Sequence, residues 1–531
     1  RLLYLLPGSR DAQISCELLA VLLKDKPNYE ALSYVWGDAS NRRNILLDGY
    51  TFSVTENLEG ALRHLRRYDK KRVLWVDALC INQGDYKEKQ QQIQKMRDIY
   101  RSAQHVLAWT GEADEESDEA LELLKNLSEP TVFVNLYELA SKPDAFSTIN
   151  FNHKWQTLFR FLNRPYWSRV WIVQELAIPR ISIYNDIESR KVQLGVGWTW
   201  IPLSSFNVAL MSLTQILRSL VSSPAYLDRP EWSINQAILA AILMFEVVQS
   251  CIRTPVRQRH SINTLLRMTY FLKAIDPRDR VYALIALTRD VDHVLAPDYS
   301  IFITQTLRTM VRHLIVVDKN LAVLSGNRRL RLNYTEEWSL WILDPERYIH
   351  TSRSDWQPET SSFRACTSIA PAVTFSSNIS LLTVKGMIID KISTVIRPVD
   401  SETFPGLASN NLSQSAMMRC LQQLEQFGST LSKSRRECFW RTLILDSEEL
   451  EHGRRKSPAP KRFGEWFKVM LRNLGIAQRC FYTTSTGEMG LGPIDTLPRD
   501  LVTILYGGQF CYILREVSEH YVLIGDSYLH G

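Results

Sequence analysis

The sequence predicts an α/β protein: a parallel-cored sheet with flanking helices at the amino terminus, then a helical region, then a β-rich carboxyl-terminal region. Three observations predict it. Strand-like and helix-like patterns alternate three times before Gly111, which argues for parallel strands with helices on the sheet faces. Residues 200–320 carry mostly helical spacing, and beyond residue 376 short β-prone runs recur between glycines.

Taken in order, Ala31-Leu-Ser-Tyr-Val-Trp36 reads as a short strand stopped by Gly37-Asp38. Ser53, with Glu56 three positions on, predicts a capped helix start. Leu58, Ala61, Leu62 and Leu65 give that helix one apolar stripe. Val73-Leu-Trp-Val76 is apolar throughout, as buried parallel strands are, and puts Asp77 at its carboxyl end. A second helix is predicted from Asp85, with Ile93, Met96, Ile99, Tyr100 and Ala103 inward. His105-Val-Leu-Ala-Trp109 is the third strand. An acidic stretch from Glu112 opens a helical insertion over about 112–165. Ser168 predicts the cap of a short helix closed by Pro179, and Ile181-Ser-Ile-Tyr184 a fourth strand. Leu307, Met310, Val311 and Leu314 form a helical stripe, and residues 351–375 read as a loop or linker. Strands are expected at 381–384, 387–389, 501–505, 512–514 and 521–524, and the basic, proline-containing loop 453–462 reads as solvated surface.

Composition excludes several classes. A chain of 531 residues suggests two to four domains of roughly 100–200 residues each. Hydrophobic residues make up 45% and charged residues 23%, an ordinary globular balance. Lys plus Arg exceed Asp plus Glu by 63 to 57, too little for the concentrated basic face that nucleic acid requires. The longest apolar run, Ala237 to Phe245, falls short of the roughly 20 residues that span a bilayer, so no membrane segment is expected. Eight cysteines without a CxxC pair predict a reducing, intracellular and cytoplasmic setting, with neither disulfides nor a zinc site. No histidines stand at ligand spacing, so no metal is expected. The chain starts at Arg1 rather than Met, which leaves room for a targeting segment ahead of it. Phosphate-loop, HExxH, GxSxG and kinase signatures are missing. Gly487, Gly490 and Gly492 are followed by Pro493, and read as a turn between strands.

What remains are long distinctive strings. They are Glu30-Ala-Leu-Ser-Tyr-Val-Trp-Gly-Asp38, Leu74-Trp-Val-Asp-Ala-Leu-Cys-Ile-Asn-Gln83 and Arg169-Val-Trp-Ile-Val-Gln-Glu-Leu176. In this order they resemble the signature blocks of the fungal heterokaryon-incompatibility (HET) domain. Asp276-Pro-Arg-Asp-Arg-Val-Tyr-Ala-Leu284, Pro297-Asp-Tyr299, Arg479-Cys-Phe481, Gly490-Leu-Gly-Pro493 and the Gly525–Gly531 block resemble segments that come after the domain in such proteins. The chain departs from the family pattern around Trp338–Pro345 and stops early at Gly531. The resemblance implies a HET domain over 1–200, a helical region over 201–350 and a β-rich region over 376–531. It implies a fungal incompatibility or non-self response protein that triggers regulated cell death. The trigger would be an unknown protein or self-association. The HET domain is in turn similar to TIR domains, some of which cleave NAD with a glutamate on the third helix. Glu175, four residues after Trp171, falls at that position, although the 112–165 insertion has no TIR counterpart. NAD would then be a substrate, with no resident cofactor.

The residues themselves leave two readings of Glu175. It shares a helix face with Trp171 and lies near the helix carboxyl end, where the dipole disfavours a negative charge. In an apolar cleft its pKa should rise, and its carboxylate could stabilise an oxocarbenium-like state as nicotinamide leaves. The structural alternative is an ion pair with Arg169 or Arg180. Open α/β sheets bind ligands beyond the carboxyl ends of their strands, where Trp36, Gly37, Asp38 and Asp77 map as candidate binding residues beside Trp171. As alternatives, Trp36 is an edge aromatic and the two aspartates are turn or cap residues. Two functions stay open: an enzyme that cleaves NAD, or a non-enzymatic signalling module acting by self-association or partner binding.

Overall fold

The computed structural model describes residues 1–140, 153–181, 192–221, 236–254, 260–288, 295–325, 327–328, 348–349, 365–366, 369–377, 381–397, 414–443, 448–449, 455–456 and 479–530. The chain divides into two compact units, Arg1–Ser300 and Ile301–Gly531.

The first unit is built on a nine-stranded sheet. Its strands are β1 (Leu2–Leu5), β2 (Ser15–Leu19), β3 (Glu30–Tyr34), β4 (Arg42–Leu47), β5 (Tyr50–Thr55), β6 (Arg72–Trp75), β7 (His105–Trp109), β8 (Val192–Val196) and β9 (Thr199–Pro202). The order is β5-β4-β2-β1-β6-β3-β7-β8-β9. At its centre β6, β3, β7 and β8 run parallel, with Ala31 opposite both Trp75 and Val106 and Ala108 opposite Leu194. Leu74, Ala31, Val106 and Ala108 are fully buried there, which is why these strands read as unbroken apolar runs. The predicted parallel core at 31–36, 73–77 and 105–109 is present. The outer strands are mixed, and β4 and β5 form a hairpin across Asp48 (φ 51°) and Gly49 (φ 82°), the two positive-φ residues that a tight type I′ turn needs.

Two expected helices shift their boundaries. Ser53 does not cap the first helix, because β5 keeps pairing with β4 as far as Thr55, opposite Arg42. Thr55 caps α1 (Glu56–Leu65) instead, its hydroxyl accepting from the Leu58 amide at 3.4 Å. Asp85 caps α3 (Tyr86–Ser102) as predicted, and the short α2 (Asp77–Cys80) precedes it. The insertion is helical: α4 (Ser117–Leu127), α5 (Pro130–Ala140) and α6 (His153–Leu162). Ser168 ends a single turn, bonding Pro165 O at 2.8 Å, and α7 runs Trp171–Ile181 with Pro179 inside it rather than closing it. Ile181 belongs to that helix, and the rest of the strand expected at 181–184 lies outside the described residues. The fourth parallel strand is β8, whose Gln193 and Gly195 broke the apolar pattern. Helices α8 (Leu203–Val221), α9 (Gln236–Arg253), α10 (Ile262–Met268) and α11 (Asp279–Ile285) complete the unit. With α3, α9 and α11 all packed on α7, that helix is apolar almost all round; Ile172, Val173, Leu176 and Ala177 are fully buried.

The second unit opens with α12 (Ile303–Asp318), whose predicted stripe of Leu307, Met310, Val311 and Leu314 is buried. Its core is a closed antiparallel barrel of β10 (Gly386–Ile396), β11 (Arg479–Thr484), β12 (Met489–Pro493), β13 (Leu501–Leu505), β14 (Cys511–Val517) and β15 (His520–His530), in the order β10-β11-β12-β15-β14-β13. Helices α13 (Gln414–Thr430) and α14 (Lys433–Leu443), not expected from the sequence, place Leu424, Phe439 and Leu443 against Phe481, Met489 and Leu491 of the barrel. Gly487 (φ 91°) makes the β11–β12 turn, whereas Gly490 and Gly492 lie within β12. A Cβ on Gly490 would meet Tyr482 Cζ at 2.2 Å. Most of the basic 453–462 loop lies outside the described residues.

Candidate functional site

The candidate site forms at the carboxyl ends of β3 and β6. β3 supplies Ser33 and Tyr34, then turns out through Trp36 and Gly37 (φ 81°), and Asn57 holds the exit by donating to Val35 O. β6 delivers Asp77 at the start of α2. Asp77 Oδ1 accepts from the Ala78 amide at 2.7 Å and Oδ2 from the Trp36 indole at 2.9 Å. The Gln83 amide donates to Asp77 O at 3.0 Å.

The segment entering α7 supplies the cation. Its backbone is tied down by Val170 N to Lys273 O at 3.0 Å and Lys273 N to Ser168 O at 2.6 Å. Arg169 donates to the Tyr34 carbonyl, and one guanidinium nitrogen lies 3.8 Å from Asp77 Oδ2 and 3.8 Å from Glu175 Oε1. One turn further on, Glu175 is 1% exposed and accepts from the Ser33 hydroxyl. Tyr166 OH lies 2.9 Å from Ser33 Oγ; since that serine gives its proton to Glu175, Tyr166 is the donor. The result is one continuous network, Tyr166–Ser33–Glu175–Arg169–Asp77–Trp36.

Its electrostatics follow from burial. Removal from water pushes the Glu175 carboxyl up to about 7, with Arg169 and Ser33 working against that rise. Burial opposes the charge on Arg169, but Glu175 and Asp77 outweigh it and hold the guanidinium charged. The Tyr34 and Tyr100 phenols are also driven well above their usual range, chiefly by burial. One cation is therefore shared by two carboxylates.

Three of the sequence-predicted residues meet in this network, Trp36, Asp77 and Glu175. Trp171 does not join them. Its indole bonds Asp279, which also accepts from Tyr299 OH at 2.6 Å. Gly37 shapes the exit of β3. Asp38 is exposed, and its carboxylate is held below the usual range by the Ser40 amide in a local turn. Of the two arginines considered as partners of Glu175, Arg169 takes the role; the Arg180 side chain lies outside the described residues. Ser33 and Tyr166 were missed. Ser33 sits in an apolar string and Tyr166 in a short turn between arginines, and their partners are 133 and 142 residues away in sequence, so no local signal marks them.

A family model described as Heterokaryon incompatibility protein (HET) matches residues 29–175, the stretch that carries all six residues of the network. That part of the chain is a HET domain. The chain is 27% identical over 365 residues to heterokaryon incompatibility protein 6, OR allele, of Neurospora crassa, covering 59% of this chain and 52% of that protein. The chain thus spans about half the length of the curated relative it matches. No solved structure matches. The HET domain takes β1, β2, β8 and β9 from outside the matched residues to complete its sheet. Asp276, Arg278 and Tyr299 pack beside it. There Arg278 grips Asp276 at 2.9 and 2.7 Å and donates to Tyr299 O at 2.8 Å, while the Lys89 ammonium of α3 sits 4.3 Å from the Tyr299 ring centre.

Among the described residues no cluster of histidine, cysteine, aspartate and glutamate could hold a metal, and no helix is long and apolar enough to cross a membrane. The seven cysteines whose side chains are described are free thiols, and burial pushes Cys16 up to about 12 and Cys80 and Cys480 up to about 11.

Proposed function

We propose that this chain acts in fungal heterokaryon incompatibility, as a cytoplasmic non-self response protein whose output is regulated cell death, and that its HET domain signals by association with a partner or a second copy. The likeness to heterokaryon incompatibility protein 6 supports the first part. The second part rests on the burial of Glu175. A carboxylate that stabilises a developing cation must face the reacting bond, whereas Glu175 is 1% exposed and turned onto Ser33 and Arg169 of its own domain.

NAD cleavage is the second reading, and one observation favours it. Glu175 is a carboxyl pushed up to about 7, bridged by Arg169 to Asp77 and Trp36 at the strand ends where open α/β sheets bind ligands. In that reading the bond from ribose C1′ to the nicotinamide nitrogen breaks with its electron pair leaving on nicotinamide. Water adds at C1′ and loses a proton, and Glu175 stabilises the cation between. The Ser33 and Tyr166 side chains would first have to uncover Glu175, which is the TIR-like part of the proposal.

The test is killing in a fungal host that expresses wild type or Glu175→Gln at matched levels. An associating module predicts equal killing. Loss of killing by a folded, equally abundant Glu175→Gln protein refutes it.

A further inference from the structure

Beside Trp36 the first unit has a cavity of about 500 Å³, within the roughly 300–1,000 Å³ at which proteins hold small molecules. It stands at the carboxyl ends of β3 and β6, neighbouring parallel strands. Phe52 of the β4–β5 hairpin and Asn82 and Gln83 beyond α2 complete its wall. Glu175 does not line it, so binding in this cavity is independent of any chemistry at that residue.

Three properties of the lining define the occupant. Most of it is apolar: aliphatic side chains such as Leu79 are joined by the aromatic rings of Tyr34, Trp36 and Phe52, and Phe52 is still 43% exposed although it lines a concave wall. The amides of Asn82 and Gln83 add hydrogen-bonding groups at one side. The charged residues that line it are arginines, Arg42 among them, with no carboxylate among the described lining residues. Arg42 is set in position by its bond to Ser53 Oγ at 2.8 Å. A second cavity, of about 680 Å³, makes the contrast. It is lined by Asp38, Glu56, Glu59 and Glu112 against two arginines, and so repels anions.

We infer that the cavity beside Trp36 is a binding site for a small molecule joining a planar aromatic ring to an anionic group, the chemistry of a nucleotide. The ring packs on the apolar and aromatic lining and the anion meets the Arg42 guanidinium. Such a ligand also touches Trp36, whose indole holds Asp77 in the Glu175 network, so occupancy is sensed there.

The experiment titrates the whole chain with a fluorescent N-methylanthraniloyl ADP and competes it with ADP, adenosine and ribose 5-phosphate. Saturable binding is expected, with adenosine (ring without anion) and ribose 5-phosphate (anion without ring) each competing at least about tenfold more weakly than ADP. Arg42→Gln changes an exposed residue whose loss does not threaten the fold. It should weaken ADP about tenfold, as the loss of one charge-assisted bond does, and leave adenosine unchanged. Ala78→Leu, which fills the cavity from α2, should weaken all three. The inference is overturned by no saturable binding up to about 1 mM probe, by binding that Arg42→Gln leaves intact, or by ribose 5-phosphate competing as well as ADP.

Discussion

Glu175→Gln offers a quantitative test of the buried network. In the folded chain the Glu175 carboxyl is pushed from 4.5 up to about 7 by burial, facing Arg169, Asp77, Ser33, Tyr166 and Tyr100. The unfolded chain releases that proton near 4.5. Between these values the native state binds more protons than the unfolded state, so stability falls as pH rises. The contribution is fully present below pH 4.5 and lost as pH passes through 7. A separation of this size is worth about 3 kcal/mol. The amide of Glu175→Gln does not titrate. Relative to wild type, the variant should therefore gain about 3 kcal/mol of stability between about pH 4.5 and about pH 8, whatever its absolute stability. Urea unfolding at intervals across this range, read by hydrogen exchange of the β3 amides, tracks the first unit without contribution from the second. Parallel pH curves for the two proteins would refute the reasoning, as would a wild type that gains on the variant with rising pH.

Further predictions concern the same unit and the barrel. Arg169→Met should cost about 3–5 kcal/mol, because it leaves two carboxylates without the cation they share; urea midpoints at slightly alkaline pH measure it. Tyr299→Phe removes a donor from half-buried Asp279 and should cost about 1 kcal/mol, read as a lowered first-unit midpoint. Gly490→Ala should destabilise the second unit by about 1–3 kcal/mol, since a Cβ would meet Tyr482 Cζ at 2.2 Å; limited proteolysis reports it. Thiol titration under denaturing, non-reducing conditions should count all eight cysteines.

The parallel core was legible because β3, β6 and β7 are buried on both faces and so spell continuous apolar words. The flanking strands were not. β4 and β5 each open on three exposed residues and bury only one, Ile45 and Val54, and Ser53 imitates a helix cap while it is still paired to Asn44 in the hairpin. At the site, Trp36, Asp77 and Glu175 could be singled out because polar or bulky residues at strand and helix ends stand apart from their surroundings. Their partners could not. Ser33 is one hydroxyl in an apolar strand, and Tyr166 precedes a tryptophan that packs on Phe206. The shared face of Trp171 and Glu175 was correctly spaced, yet tertiary partners separate their roles, with Asp279 taking one and Arg169 the other. In the second half the strand runs were visible. Barrel closure depends on β10 pairing with β11 at one end and β13 at the other, a relation that no local pattern encodes.

Nicotinamide release tests most directly whether the HET domain signals without chemistry at Glu175. The purified chain is incubated with NAD at low and high protein concentration, and free nicotinamide is quantified for wild type and for Glu175→Gln. A signalling module with Glu175 sealed in its network releases no more than the variant at either concentration. Release by wild type that Glu175→Gln abolishes would contradict it, and would make Glu175 a catalytic carboxylate that the domain uncovers.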